Sequence, residues 1–258
     1  MIPEPTFKEV IPLYIINGAV FFFYLLHITI YRGDHHRDEE ARTGHRSPIL
    51  TMRIREFWFW ITSPVFNFFL KFKISPNQIT TLGFLFSVAA GLFFAQGWIA
   101  TAGWCVIAAG SMDFFDGRVA RHLGLETKSG AFYDTILDRL GEGFVFLGLL
   151  LLYVNHWMFF VVFFAFLFSV LISYTKAKGE TMGVEVKVGI LQRPERIAYL
   201  GAPAIVWPMI FPFIHSSVPF LKYDLGIVFG LFVIMIFGCH TCWVRFNKVF
   251  QELKANEK

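Results

Sequence analysis

The chain has 258 residues, of which 55% are hydrophobic and 33 are phenylalanine, while only 16% are charged and the formal net charge is +4. Soluble domains normally carry about 25% charged residues, so this composition argues against a soluble protein and indicates an integral membrane protein. The three cysteines, Cys105, Cys239 and Cys242, all lie in apolar segments and give no disulfide framework.

Seven apolar segments are long enough to cross a bilayer, which takes roughly 20 helical residues. A helix satisfies all of its backbone hydrogen bonds within a lipid-exposed segment, so we expect an all-α integral membrane protein. The predicted spans are residues 10–31, 79–98, 99–119, 135–154, 156–176, 196–215 and 224–244. The first span is not followed by a small-residue cleavage site and its N-terminal flank is not basic, which argues against a cleaved signal peptide.

An aromatic segment, FWFWITSPVFNFFLKFK, lies between the first two spans at residues 57–73, is interrupted by Pro64 and ends in lysines. We predict that it is an amphipathic helix in the membrane interface. The resulting division of the chain has four parts: an N-terminal span and cytoplasmic loop (1–55), an interfacial juxtamembrane helix (56–73), a six-span catalytic domain (74–248) and a cytoplasmic tail (249–258).

Basic residues fall in alternate connections, which predicts the orientation of the chain. The connections QGW, VNHW and HSSVPFLKYD carry almost no positive charge. The basic residues follow the first, third, fifth and seventh spans: Arg32, Arg37, Arg42, Arg46, Arg53, Arg55, Arg118, Arg121, Lys128, Lys176, Lys178, Lys187, Arg193, Arg196, Arg245 and Lys248. We therefore expect a multi-pass cell (inner or plasma) membrane protein with its N-terminus outside and its C-terminus in the cytoplasm.

Four aspartates lie at the cytoplasmic ends of the third and fourth spans. Asp113 and Asp116 are three residues apart, and Asp134 and Asp138 are four apart, so each pair shares one helix face. The short linker RHLGLETKSG predicts that the two helices are antiparallel neighbours and that the four carboxylates converge. Such acids at membrane depth are functional candidates, and all-oxygen ligands favour Mg²⁺ or Mn²⁺, two of which form a clamp for phosphoryl transfer.

A more ordinary interpretation is a solvated charged loop in which nearby cations pair with the four acids, those cations being Arg118, Arg121, Lys128 and Arg139. A second alternative is a transporter or channel, in which intramembrane acids mark an ion path. A transporter predicts polar residues along several helices or broken inverted repeats. Here the polar residues stay at one end, and segments such as VFLGLLLLYV contain nothing to line a path.

A longer pattern surrounds the aspartates: Asp113-x-x-Asp116-Gly117-x-x-Ala120-Arg121, eight residues, Gly130, three residues, Asp134, three residues, Asp138. This pattern resembles the signature of the CDP-alcohol phosphotransferase (CDP-alcohol phosphatidyltransferase) family. The resemblance extends from about Ile74 to Arg245 and implies a six-helix transmembrane bundle, a divalent-metal-dependent transferase and a homodimer. Members of the family take a CDP-linked lipid, usually CDP-diacylglycerol, and displace CMP with the hydroxyl of a small alcohol.

The resemblance also implies roles for individual residues. Two ions of Mg²⁺ or Mn²⁺ would be held by the four aspartates, Asp113, Asp116, Asp134 and Asp138. Asp138 would also be the general base for the acceptor hydroxyl. ISPNQIT resembles the P-N-x-x-T element of the family, although it is also a plain helix start after Pro76. The implied nucleotide and CDP-lipid contacts are Asn77, Thr80, Gly117, Ala120, Arg121, Thr127 and Gly130.

Two stretches after the fifth span, SYTKAKGE and GILQRPERIAYL, resemble the inositol-phosphate branch of the family, although Lys178 stands where relatives often have arginine. A phosphorylated acceptor needs a cationic pocket, and the candidates are Lys176, Lys178, Arg193, Arg196 and Arg245. The alternative is that these residues only follow the positive-inside rule and bind lipid headgroups. Free inositol, glycerol phosphate, serine and choline stay open as acceptors. We expect the lipid bilayer, CDP-diacylglycerol and the small polar alcohol as partners, and no nucleic acid.

Overall fold

The computed structural model describes residues 7–30, 52–215 and 222–256. Within these ranges the regular structure is entirely helical, which confirms the predicted all-α class. The predicted basic loop ends at residue 55; residues 32–51 of it lie outside the described residues, and its last residues, with Arg53 and Arg55, are helical. The helices are α1 (Phe7–Ile30), α2 (Met52–Lys71), α3 (Pro76–Ala95), α4 (Ile99–Leu123), α5 (Lys128–Leu152), α6 (Met158–Thr181), α7 (Arg193–His215) and α8 (Leu225–Asn256).

Several helices extend beyond the predicted spans at the end that carries the aspartates. Hydropathy marks only the apolar part of a helix, whereas backbone hydrogen bonding continues through polar turns until a cap ends it. In α4 that cap is Gly124, whose φ of 64° is the left-handed conformation that favours glycine. α8 likewise continues past residue 248, the predicted end of the catalytic domain, to Asn256. The division of the chain into four parts stays a prediction.

Five of the described helices, α1, α3, α6, α7 and α8, are long and apolar enough to cross a membrane. This finding supports the predicted multi-pass membrane protein. α4 and α5 have 25 residues each, or about 37 Å of helix, but they carry the four aspartates and their polar neighbours. That these two helices also cross the membrane stays a prediction.

Six helices pack in a closed ring in the order α3, α4, α7, α8, α6 and α5. One cluster of buried apolar side chains, including Phe94, Phe146, Leu149 and Leu231, joins these helices. A second, smaller cluster, which includes Phe115 and Val119, lies between α2, α3 and α4 beside the aspartates. The polar side chains of the aspartate end are therefore supported by buried apolar packing.

α4 and α5 run in opposite directions as predicted, but they are not direct neighbours in the ring, because α3 packs against both of them. Glycines explain this arrangement. A Cβ at Gly148 on α5 would overlap the backbone of Gly91 on α3, and a Cβ at Gly91 would overlap the carbonyl of Phe144. The absence of side chains at both positions lets α3 and α5 approach to backbone contact.

α2 lies against α4 through aromatic side chains. The rings of Phe59 and Phe114 meet edge to face with centroids 4.6 Å apart, and those of Phe69 and Phe115 are 5.5 Å apart. The helix runs continuously through Pro64, so the prediction that Pro64 interrupts it is wrong. The proline removes one backbone donor, but aromatic contacts on both sides of it hold the helix against α4. α2 is not among the five apolar helices, and its interfacial position stays a prediction.

Candidate active site

Three carboxylates converge at the polar end of the ring. One oxygen each from Asp113 and Asp116 on α4 and from Asp134 on α5 lie within 4.8 Å of one another. Asp116 is 6% exposed, and the other two are partly buried. Three carboxylates so close together repel one another, and a bound cation would relieve that repulsion.

The donor set fits a divalent metal ion. Asp134 Oδ1 is buried and accepts no hydrogen bond from any described residue. A buried carboxylate oxygen without a donor is costly, and it is the ligand that a hard divalent cation prefers. The cluster therefore has both the charge and the free oxygen that Mg²⁺ or Mn²⁺ requires.

Asp138 lies one turn further along α5 and is bound by Arg193 at the start of α7. Both oxygens of Asp138 accept hydrogen bonds from the two terminal nitrogens of the Arg193 guanidinium. Arg193 Nη1 also donates to Asp113 Oδ1 over 2.5 Å. Arg193 therefore connects the acids of α4 and α5. Asp138 is not part of the three-acid cluster, and its predicted roles as metal ligand and base stay proposals.

Thr80 on α3 supports Asp116 directly. Its buried hydroxyl donates to Asp116 Oδ2 over 2.6 Å. The motif ISPNQIT also forms a helix start, because Ser75 and Gln78 form a capping box and Pro76 is the first helical residue. The structure thus places Thr80 in contact with Asp116 of the cluster. A contact between Thr80 and the nucleotide stays a prediction.

The other predicted nucleotide contacts lie around the cluster. Asn77 is exposed on the first turn of α3, and its Oδ1 lies 3.5 Å from the position that a Cβ at Gly130 would occupy. Thr127 caps α5 by accepting from the Gly130 amide over 3.0 Å. On α4 the Arg121 guanidinium lies over Gly117, 3.2 Å from where a Cβ would be. Together with Ala120, these residues border the acids, and their nucleotide contacts stay predictions.

A small pocket opens between α3, α4, α5 and α7 beside the acids. Both polar and apolar side chains line it. The polar lining residues are Thr80, Asp113, Asp116, Asp138 and Arg193, and the remaining ones are Gly83, Phe84, Ser87, Ala109 and Leu137.

The five predicted acceptor contacts differ in how deeply their side chains are buried. Lys176 and Lys178 are exposed on the last turns of α6, where Lys176 lies 3.8 Å from Glu180. Arg245 is buried and donates to the carbonyl oxygens of Val188 and Ile172 over 2.9 and 2.7 Å. Arg245 therefore anchors α8 to the polar end, while Arg193 lies among the acids.

Arg196 is buried as well, at 3% exposure, and its Nε donates to Glu142 Oε1 over 2.9 Å. Glu142 was missed by the sequence analysis. Its signal was present, since Glu142 follows Asp138 by four residues and continues the acidic face of α5. The link from Thr80 to Asp116 was also missed, and no spacing within one helix could have revealed it.

Carboxylates that fit a divalent metal, arginines beside them and a pocket at the polar end of a membrane-spanning bundle define a metal-dependent transferase that acts on phosphate groups. Residues 73–241, more than half of the chain, match the sequence profile of the CDP-alcohol phosphatidyltransferases. The chain belongs to the CDP-alcohol phosphatidyltransferase family, as the signature around the aspartates predicted.

Two relatives of the chain are named as synthases of inositol phosphate lipids. The chain is 32% identical to the phosphatidylinositol phosphate synthase of Cutibacterium acnes over 55% of its own length and 72% of the relative's. It is 29% identical to the archaetidylinositol phosphate synthase of Methanothermobacter thermautotrophicus over 71% of its own length and 87% of the relative's.

Solved structures of the phosphatidylinositol phosphate synthase of Mycobacterium tuberculosis share the fold. The complex with manganese and citrate matches 73% of this chain and 88% of that one with a TM-score of 0.62 and 29% identity. The complex with CDP-DAG bound matches 74% of this chain and 94% of that one, with a TM-score of 0.61 and 29% identity. The manganese complex agrees with the divalent-metal dependence that the aspartates predicted.

Proposed function

We propose that this protein transfers a phosphatidyl group from CDP-DAG to a hydroxyl of inositol phosphate and releases CMP. The observation that carries the proposal is the position of Arg193, which binds the acids of both α4 and α5 at the mouth of the pocket. A donor pyrophosphate held at the acids and an acceptor phosphate held by arginine would then meet at one place. Family membership favours this enzyme over the transporter alternative.

The donor half of the site consists of Asp113, Asp116 and Asp134. Divalent cations held by these residues and by Asp138, two of them in our proposal, would neutralise the pyrophosphate and the charge that develops on departing CMP. Thr80 fixes one oxygen of Asp116, and Oδ1 of Asp134 accepts no hydrogen bond from the described residues and is left for a ligand. Asn77, Gly117, Ala120, Arg121, Thr127 and Gly130 border this half and are our proposed contacts for the nucleotide and its phosphates.

The chemical step needs a base for the acceptor hydroxyl, and Asp138 is our candidate because it lies in the pocket one turn from Asp134. Asp138 would take the hydroxyl proton while the hydroxyl oxygen forms a bond to the phosphorus atom that carries the diacylglycerol. The bond from that phosphorus to the CMP oxygen breaks, and CMP leaves with its electron pair. Arg193 bound to Asp138 places a positive charge where the acceptor phosphate would enter.

The acceptor half of the site is cationic. Arg196 supports a phosphorylated acceptor, because its guanidinium is buried and only its Nε has a protein acceptor among the described residues. A buried guanidinium with free terminal N–H groups suits bidentate binding of a phosphate. Lys176 and Lys178 are exposed at the same end and would guide the anion, while Arg245 would hold α8 in place.

We further propose that this polar end faces the cytoplasm and that the N-terminus lies outside. The lysines and arginines of α4 to α8 lie in the half of each helix nearer the aspartates, as the positive-inside rule requires of cytoplasmic segments. A homodimer is proposed from the family resemblance alone, and cross-linking in native membranes tests it.

The test of the function is CMP release by purified protein from CDP-DAG with Mn²⁺ or Mg²⁺. The acceptors to compare singly are inositol phosphate, inositol, glycerol phosphate, serine and choline, with Asp138→Asn as the blank. We expect release with inositol phosphate that is lost in the variant. Release with a different acceptor would overturn the acceptor assignment, and release in Asp138→Asn equal to the wild type would overturn the role of Asp138.

A further inference from the structure

Glu142 joins three helices at a point one turn deeper than Asp138. Its Oε1 accepts from Arg196 Nε on α7 over 2.9 Å, and its Oε2 accepts from Arg139 Nη1 on α5 over 2.6 Å. The same Arg139 nitrogen donates to Ser173 Oγ on α6 over 2.7 Å. The Glu142 side chain is 14% exposed and that of Arg196 is 3% exposed, so the contact between them is largely removed from water and is correspondingly strong.

α5 and α7 are not neighbours in the ring, and long polar side chains connect them across it. One connection joins Asp138 to Arg193, and the next joins Glu142 to Arg196. The two acids are four residues apart and the two arginines are three apart, so the connections lie about one helical turn, or about 5.4 Å, from each other. Glu142 therefore fixes the position of Arg196 relative to Asp138.

The charges around Glu142 leave a site for an anion. Glu142 lies between the guanidinium groups of Arg139 and Arg196, and Arg139 also faces the carboxylate of Asp134. Removing one partner of a buried ion pair is costly, and Arg196 has no second carboxylate partner among the described residues. The terminal nitrogens of Arg196 likewise have no protein acceptor in the described part of the chain.

We propose that Glu142 is a positioning residue for the acceptor: it holds Arg196 by Nε so that the terminal nitrogens are presented to the phosphate of the acceptor beside Asp138. This inference rests on the proposed function. It assigns to Glu142 the selectivity for a phosphorylated acceptor over a neutral one. Glu142 touches neither substrate and acts through Arg196.

The test compares Glu142→Gln and Glu142→Asp with the wild type in detergent or nanodiscs. Glutamine has the same shape, but its amide can accept from only one of the two arginines. We expect Glu142→Gln to raise KM for inositol phosphate about tenfold or more, with kcat and KM for CDP-DAG within about twofold. Aspartate keeps the charge with a shorter side chain, so Glu142→Asp is expected to lie between Glu142→Gln and the wild type.

The matched control is Asp224→Asn. Asp224 accepts from the buried hydroxyl of Tyr153 over 2.8 Å beyond the far end of α5, so this variant also changes a carboxylate to an amide, but far from the site. It is expected to lower Tm without raising either KM. If Glu142→Gln changes Tm as the control does and leaves both KM values alone, or raises both KM values equally, Glu142 is merely structural and the inference is wrong.

A binding measurement separates this inference from the proposed reaction. Calorimetric titration of inositol phosphate, and of inorganic phosphate, into protein without CDP-DAG reports on the anion site alone. If the wild type releases no CMP but binds phosphate about tenfold more tightly than Glu142→Gln, the proposed reaction is wrong, but the part of the inference in which Glu142 holds Arg196 for an anion stands. Equal phosphate binding by both proteins, or no binding by the wild type, contradicts the inference.

Discussion

The hydroxyl of Thr80 donates to Asp116 Oδ2 over 2.6 Å and joins α3 to the acid cluster of α4. Both residues are 6% exposed, so the bond is shielded from water and fixes the orientation of one carboxylate oxygen. Hydrogen bonds to metal-ligating carboxylates orient those ligands and tune their affinity for the metal. We therefore expect Thr80 to have a role in metal binding that its position in a helix-start motif does not reveal.

The first prediction follows from this bond. Thr80→Val preserves the shape of the side chain and removes the donor, so we expect the Mn²⁺ concentration for half-maximal CMP release to rise about tenfold to 100-fold. Thr80→Ser keeps the hydroxyl and should stay near the wild type. The control is Thr81→Val, which removes the neighbouring exposed hydroxyl that meets Tyr133 at 2.9 Å. Equal metal dependence in Thr80→Val and Thr81→Val would contradict the assignment.

A second prediction concerns metal and stability. Because the three acids repel one another without a cation, Mn²⁺ should raise the Tm of the wild type, and chelation with EDTA should reverse the increase. Asp134→Asn removes one negative charge from the cluster. We expect it to lose most of the Mn²⁺-dependent increase in Tm, measured by thermal unfolding in detergent. An increase as large as that of the wild type would show that Mn²⁺ binds elsewhere.

A third prediction tests the backbone contact between α3 and α5. A Cβ at Gly148 would overlap the backbone of Gly91, so Gly148→Ala must push the two helices apart and is expected to cost roughly 1–3 kcal/mol or more. Gly143 lies on the same helix, and no atom lies within 4 Å of the position that a Cβ would take there. Gly143→Ala should therefore leave Tm unchanged or slightly raised. Similar Tm values for the two variants would argue against close packing of α3 on α5.

A fourth prediction concerns orientation. Single cysteines at Lys128, at the aspartate end of α5, and at Trp157, between α5 and α6, lie at opposite ends of the bundle. In a variant without native cysteines, a membrane-impermeant maleimide added to intact cells should label position 157 only. Position 128 should react after the membrane is opened. The reverse pattern would place the active site outside the cell.

The sequence was sufficient for the parts of the structure that depend on composition and on spacing within one helix. Apolar length predicted the helices, and intervals of three and four residues predicted that the aspartates share faces. Asp113, Asp116 and Asp134 do converge, although their two helices pack mainly against α3 rather than against each other. The length of a linker limits how far apart two helices can be, but it does not show that a third helix lies between them.

The depth of the basic residues could not be predicted either. Charge patterning assigns Lys176, Arg196 and Arg245 to one end of the bundle, but it does not distinguish an exposed lysine from a buried arginine. The burial of Arg196 depends on Glu142, which lies on another helix. The burial of Arg245 depends on carbonyl oxygens of α6 and of the loop that follows it. These are contacts across the ring, and local periodicity contains no information about them.

The most direct test of the account is mass spectrometry of the lipid formed from CDP-DAG, inositol phosphate and Mn²⁺. We predict a lipid with the mass of phosphatidylinositol phosphate, formed in equal amount to CMP and lost in Asp138→Asn. Phosphatidic acid with CMP, which would mean hydrolysis of the donor by water, would contradict the proposed transfer to the acceptor hydroxyl. So would the absence of any new lipid from folded, metal-loaded protein.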